Sequence, residues 1–189
     1  MKFPLILGVS ARHLHLSASD MAKLFGEEAE LQPKKYITQP GQYAAEEQVT
    51  LVTAKGKMNL RVIGPLRKAT QIELSMTDAR ALGLTPPIRI SGDIENSAGG
   101  RLIGPKGEVE LEKGIIIAAR HIHLCPATAA EYGLKNGDVV NVKTTGERSL
   151  TFHDVPVRTG EEHADEYHID TDEANACGLV TGAIIEVSK

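Results

Sequence analysis

The hexapeptide Ala-Arg-His-Leu-His-Leu at residues 11–16 returns as Ala-Arg-His-Ile-His-Leu at residues 119–124. Side chains two apart on a strand point to the same side. Each copy, read as a strand, therefore presents two imidazoles together: His13 with His15, and His121 with His123. Nothing in core packing calls for such a pattern twice. The residues that follow also correspond, as "SASDMAKLFG" and "CPATAAEYGL". Ser17 with Asp20 three residues on is a helix N-cap pattern, and Pro126 suits a first helical turn. Each copy should run as a strand and then a short helix. A hairpin comes next, with alternating β-branched residues around Gly56 in one half and Gly146 in the other. Then "QIELSMTDARALGL" meets "EYHIDTDEANACGL". Ala79, Ala81, Gly83 and Leu84 fall on Ala174, Ala176, Gly178 and Leu179, and Glu73 falls on His168.

This is the mark of an internal duplication with insertions and deletions in its loops. Two repeats are too few for a solenoid. Many short strands with few long helices predict a mainly β fold with short helices, as two small β-barrels. The expected division is residues 1–84 for the first H-x-H half, 85–114 as a linking or decorating segment rich in Pro and Gly, and 115–189 for the second half, with exchange of segments between barrels allowed. A chain of 189 residues can bury an adequate core in either one or two domains.

Composition narrows the function classes. The net charge of −4, the absence of Trp and the 4% aromatic content argue against a nucleic-acid binder. The apolar runs "FPLILGV" and "GIIIAA" fall far short of the ~20 residues that cross a bilayer, and no cleavage site follows the first. A cytoplasmic chain is expected, with Cys125 and Cys177 as free thiols.

Imidazole is a good zinc ligand, and catalytic zinc sites often take three protein ligands and keep one position open. An isolated H-x-H is usually an ordinary surface or core pair. Two copies in register, each with a third donor at the same repeat offset, argue for metal. The sets are His13, His15 and Glu73, and His121, His123 and His168. His153 and His163 lie outside the pattern and read as surface residues. Cys125 could extend the second motif to H-x-H-x-C, but its counterpart is Ser17 and Pro126 should end the strand, so it is read as a non-ligand. Cys177 reads as a packed small hydrophobe. Arg67 precedes Glu73 by six residues. Arg suits phosphate, though by spacing alone Arg67-Lys68 reads slightly better as a solvated pair. Lys55 and Arg61 flank the Gly56 turn, and the local basic cluster hints at a multiply charged anion.

Taken together, "GVSARHLHLS", "QPGQYAAEEQVTLVTAKG", "RVIGPLRKATQIELSMTDARALG", "PPIRISGD", "ARHIHLCP" and "HIDTDEANACG" resemble the zinc-dependent phosphate propanoyltransferases, the phosphotransacylases associated with bacterial microcompartments. The resemblance covers nearly the whole chain. It implies interconversion of a short-chain acyl-CoA plus phosphate with an acyl phosphate plus CoA, propanoyl or acetyl, at two zinc ions with the active site between two barrels. By motif, His13, His15 and Glu73 would hold one zinc, and His121, His123 and His168 the other, with Glu73 close enough to bridge. Arg67 would bind phosphate. Val9, Ser10, Ala11, Lys55, Arg61 and Asn175 look like coenzyme A contacts. A homodimer is implied. The N-terminal extension of microcompartment-targeted members is not seen, which favours a cytosolic form, with microcompartment association as the other expectation. Two alternatives stand beside this reading. A dinuclear metallohydrolase acting on thioesters is disfavoured because Ser17, not Asp, follows His15 in the H-x-H-x-D-H frame. A non-enzymatic barrel module is suggested by "AEYGLKNGDVVNV".

Overall fold

The computed structural model describes residues 1–189, which form two compact units. Unit 1 comprises residues 1–10, 38–40 and 119–189, and unit 2 comprises 11–37 and 41–118. Strand β1 (Lys2–Ser10) opens unit 1. Its alternation is the half-buried kind, with Phe3, Leu5 and Leu7 in the core and Lys2, Pro4 and Ile6 outward.

Unit 2 follows with β2 (His13–His15), α1 (Ala18–Phe25), β3 (Pro33–Tyr36), β4 (Tyr43–Val52), β5 (Lys57–Gly64), β6 (Gln71–Leu74), α2 (Met76–Ala81), β7 (Ile88–Arg89), β8 (Ala98–Ile103) and β9 (Glu108–Ala118). The order β4-β5-β2-β6-β9, with β8 pairing both β9 and β4, closes a six-stranded barrel. Residues 85–114 thus carry β7, β8 and the start of β9. Glycine is what lets β8 lie so close to β9. A Cβ on Gly99 would stand 2.2 Å from the Leu111 carbonyl oxygen, a collision with backbone that cannot yield.

Unit 1 resumes with β10 (His121–Leu124), α3 (Pro126–Glu131), β11 (Val139–Lys143), β12 (Thr151–Thr159), β13 (Glu166–Asp170), α4 (Thr171–Cys177) and β14 (Ile184–Ser188). Its barrel closes as β1-β13-β10-β12-β11-β14. The expected mainly β architecture of two small barrels is what the chain adopts.

The same pairing surrounds each H-x-H strand. β2 runs antiparallel to β6 and parallel to β5, while β10 runs antiparallel to β13 and parallel to β12. His13 lies opposite Glu73 and His15 opposite Gln71. His121 lies opposite His168 and His123 opposite Glu166. The residue between the histidines points the other way. Leu14 and Ile122 are both fully buried in their cores. That alternation holds the imidazoles on one face, and truncating either apolar anchor to Ala should cost about 2–5 kcal/mol.

The helices begin as the sequence suggested. Ser17 caps α1 by accepting from the Asp20 N–H, and Pro126 opens α3. Asp170 and Glu173 form a capping box on α4. No helix is long and apolar enough to cross a membrane.

Candidate functional site

In unit 2, His13, His15 and Glu73 each offer a ligand atom within 4.8 Å of the others. The ring orientations are fixed from behind. His13 donates Nδ1–H to the Ala11 carbonyl at 2.8 Å, and His15 donates Nδ1–H to the Ile63 carbonyl at 3.0 Å. A carbonyl can only accept, so each proton sits on Nδ1 and Nε2 is the nitrogen left for a ligand. His13 Nε2 stands 3.6 Å from Glu73 Oε2. The other Glu73 oxygen accepts from Gln71 Nε2 at 2.7 Å and from the Ser91 hydroxyl at 2.8 Å. Arg67 donates from Nη1 to Ser91 Oγ at 3.1 Å. A guanidinium is therefore one hydroxyl away from the carboxylate. Spacing alone favoured a solvated pair for Arg67-Lys68, yet Arg67 is half-buried beside the donor set while Lys68 is exposed.

In unit 1 the three predicted rings also gather. Ring centroids lie 4.6 Å apart for His121 and His123, 5.1 Å for His121 and His168, and 4.9 Å for His123 and His168. His121 donates Nδ1–H to the Ala119 carbonyl at 2.9 Å, repeating His13 and Ala11. Both ring nitrogens of His123 are buried without a hydrogen-bond partner. Leaving such atoms unpaired costs about 1–3 kcal/mol each, and a ligand on one of them would offset part of that cost. The donors of unit 2 thus fit a borderline-soft divalent cation: two imidazoles, one carboxylate, and backbone carbonyls behind both rings.

Electrostatics keep these groups in ligand form. Burial, with His13 and Arg67 nearby, pulls His15 down to about 3. Burial, with His121, His168, His163 and Arg158 nearby, pulls His123 down to about 2. Both imidazoles are neutral at ordinary pH, as coordination requires. Burial alone would raise Glu73, but His13, His15, the Ser91 hydrogen bond and Arg67 outweigh it and bring the carboxyl to about 2.

The arginine of each hexapeptide has another task. Arg12 donates to Asp78 at 2.9 Å and Arg120 to Glu173 at 2.7 Å. Each ties the H-x-H strand to the helix that follows the third donor.

Several residues lacked a sequence reading. Glu166 is buried and bonded to His168 Nε2 at 2.8 Å and to Gln39 Nε2 at 3.1 Å. Gln71 and Glu166 each precede the third donor by two residues, a signal that the alignment contained. Ser91 and Gln39 had no counterpart to expose them. His163, read as a surface residue, is half-buried and stacks on His123 with centroids 4.0 Å apart. The buried His123 ring covers one face of it, and its Nδ1–H reaches the Arg158 carbonyl at 3.2 Å. His153 is exposed. Cys125 and Cys177 are both free thiols, the second buried in the unit 1 core.

The remaining candidates are placed as follows. Val9 and Ser10 end β1, with the Val9 N–H donating to Thr181 Oγ1 at 3.0 Å. Ala11 and Lys55 are exposed in unit 2, and Asn175 is exposed on α4. Arg61 donates Nη1–H to the carbonyls of Ala45 at 2.6 Å and Glu46 at 3.3 Å.

The sequence profile of phosphate propanoyltransferase matches residues 6–180. The chain belongs to the phosphate propanoyltransferase family. It is a family of transferases. Similar relatives bearing that name include one from Thermotoga maritima, 53% identical over 185 residues, covering 97% of this chain and 88% of the relative. One from Rhodopseudomonas palustris is 51% identical over 188 residues, covering 99% and 83%. One from Klebsiella pneumoniae is 50% identical over 177 residues, covering 93% and 84%.

Proposed function

We propose that the chain interconverts a short-chain acyl-CoA plus inorganic phosphate with an acyl phosphate plus CoA, with propanoyl or acetyl as the acyl group. The observation that carries this reading is the Arg67–Ser91–Glu73 chain of hydrogen bonds, which stands a guanidinium beside the His13–His15–Glu73 donor set. Two zinc ions are proposed, one held by His13, His15 and Glu73 and one by His121, His123 and His168. When bound, zinc supplies a Lewis acid for a thioester carbonyl and a thiophilic centre for the departing sulfur.

The protein's own groups do the rest. Arg67 holds phosphate through a planar fork and offsets the repulsion between its charge and the incoming thioester. A phosphate oxygen then forms the bond to the acyl carbon, the carbon–sulfur bond breaks, and CoA leaves as thiolate. Phosphate is already anionic near neutral pH, so no side chain need remove a proton from it. Orientation is the main requirement, since inorganic phosphate is a weak nucleophile. Ser91 fixes both Arg67 and Glu73, so one hydroxyl sets the angle between the anion grip and the carboxylate. Val9, Ser10, Ala11, Lys55, Arg61 and Asn175 are proposed as coenzyme A contacts. A cytoplasmic homodimer, with microcompartment association as the alternative, belongs to the same proposal.

A thiol-release assay with acetyl-CoA and propanoyl-CoA, run with and without phosphate, tests it. Release should require phosphate. Release at the same rate without phosphate would identify a thioester hydrolase instead.

A further inference from the structure

We infer that Glu166 is a positioning residue that decides which ring nitrogen His168 presents: Nε2–H is tied to the Glu166 carboxylate, so Nδ1 is the donor atom. The inference rests on the metal role proposed for His168.

Glu166 Oε2 lies 2.8 Å from His168 Nε2. A carboxylate has no hydrogen to give, so the proton of this bond sits on Nε2. The Gln39 amide agrees. Its nitrogen contacts the Ala164 carbonyl at 3.1 Å, Glu166 Oε2 at 3.1 Å and His168 Nε2 at 3.4 Å. An amide nitrogen carries two hydrogens, and the two oxygens take both. His168 Nε2 receives nothing and is free to donate. With the proton on Nε2, a neutral imidazole has its lone pair on Nδ1. His13, His15 and His121 are the reverse, each with Nδ1–H on a carbonyl.

The chain makes room for this carboxylate. A Cβ on Gly8 would stand 2.7 Å from Glu166 Cδ and Oε1. Gln39 arrives on residues 38–40, three residues that fold with unit 1 while their neighbours on both sides fold with unit 2. Unit 2 has the converse at the matching strand position. Gln71, opposite His15 as Glu166 is opposite His123, donates an amide N–H to the Glu73 carboxylate. Each third donor is backed by a group of the polarity it needs: an N–H for a carboxylate, a carboxylate for an imidazole N–H.

The test begins with the metal-free wild-type protein, histidine-labelled with nitrogen-15, in two-bond proton–nitrogen spectra at about pH 8, where a free imidazole is neutral. The His168→Gln variant assigns the signal. His168 should carry its proton on Nε2, and His13 and His121 on Nδ1. A His168 proton on Nδ1 overturns the inference, and Glu166 is untouched in that measurement. Glu166→Ala should then bind the zinc equivalent of unit 1 about 10–100-fold more weakly, with the unit 2 equivalent unchanged. Glu166→Gln, whose carbonyl still accepts from Nε2–H, should recover part of the loss. Wild-type zinc affinity in Glu166→Ala also overturns the inference. A wild-type chain that takes no zinc at His121, His123 and His168 defeats the proposed metal role instead. The metal-free spectrum then still decides the tautomer.

Discussion

In unit 2 the second histidine of the pair, His15, gives its Nδ1–H to the Ile63 carbonyl. In unit 1 the carbonyl at the matching place belongs to Arg158, and it is taken by His163, which leaves His123 with neither ring nitrogen bonded. The strand pairings are the same in both units, and the groups around them are not. In unit 2 the residue that gives its backbone N–H to the Leu16 carbonyl is the half-buried Arg67, whereas in unit 1 the residue that does so to the Leu124 carbonyl is Gly160. Unit 2 thus joins a guanidinium to its donor set through the Ser91 hydroxyl. Unit 1 has a denser group of imidazoles, backed by a buried carboxylate. The difference teaches that β-pairing alone fixes where donors stand, while residues from loops and turns fix what each set can do.

The harshest way to break the comparison is to delete one donor from each side. His15→Ala and His168→Ala should each lose about one metal equivalent and most activity, since a three-ligand site loses both geometry and charge when one ligand goes. Metal analysis of the purified variants decides this. Loss of both equivalents in either variant would show that the sets do not bind independently.

Arg67→Lys sharpens the proposal that Arg67 grips the anion. Lys keeps the charge and loses the planar fork. A charged hydrogen bond is worth about 1.5–3 kcal/mol, so the Michaelis constant for phosphate should rise about tenfold to a hundredfold, while that for acyl-CoA stays near wild type. A rise in the acyl-CoA constant alone would make Arg67 a coenzyme contact, and no change in either would leave it without the proposed role.

Acid should expose what the units share. His15 and His123 have folded-state values of about 3 and about 2, below the unfolded value of 6.5. Below about pH 6.5 the unfolded chain takes up protons that these two buried rings refuse. Their contribution is therefore complete above that pH and is lost as pH falls toward 3. Each adds a slope of about 1.4 kcal/mol per pH unit to the metal-free protein. Denaturation with chelator present, at several pH values, should show a shallower slope in both His15→Gln and His123→Gln. If only one variant flattens the curve, the two rings differ in burial energetics as well as in bonding.

Much of this was legible because it repeats. The H-x-H strands, the helix starts at Ser17 and Pro126 and the alignment of Glu73 with His168 could be read from alternation and offset. Residues 85–114 were harder. Gly99 reads as a turn former, yet it lies in a strand because β9 backbone passes too close for any side chain. Ser91 and Gln39 reach their partners from 18 residues or more away in sequence, across contacts that no local pattern encodes. The path of β1 is set by pairing with β13 and β14, and its alternation reveals a buried face without naming the sheet.

The smallest expected effect separates the two histidines that fall outside the repeated pattern. His163 stacks on His123 and bonds the Arg158 carbonyl, whereas His153 is exposed and bonds Asn141 Oδ1 at 2.8 Å. A stacked ring pair is worth about 0.5–1.5 kcal/mol. His163→Ala should therefore lower metal-free stability by about 1 kcal/mol, while both metal equivalents remain. His153→Ala should change neither quantity, because a surface hydrogen bond exchanges readily for water. Metal content and denaturant midpoints of the two variants, measured side by side with His168→Ala, give the answer. If His163→Ala loses an equivalent while His168→Ala keeps it, the unit 1 donors are His121, His123 and His163. The third donor would then come from the turn before β13 rather than from the strand itself, and the correspondence between Glu73 and His168 would fail at that one position.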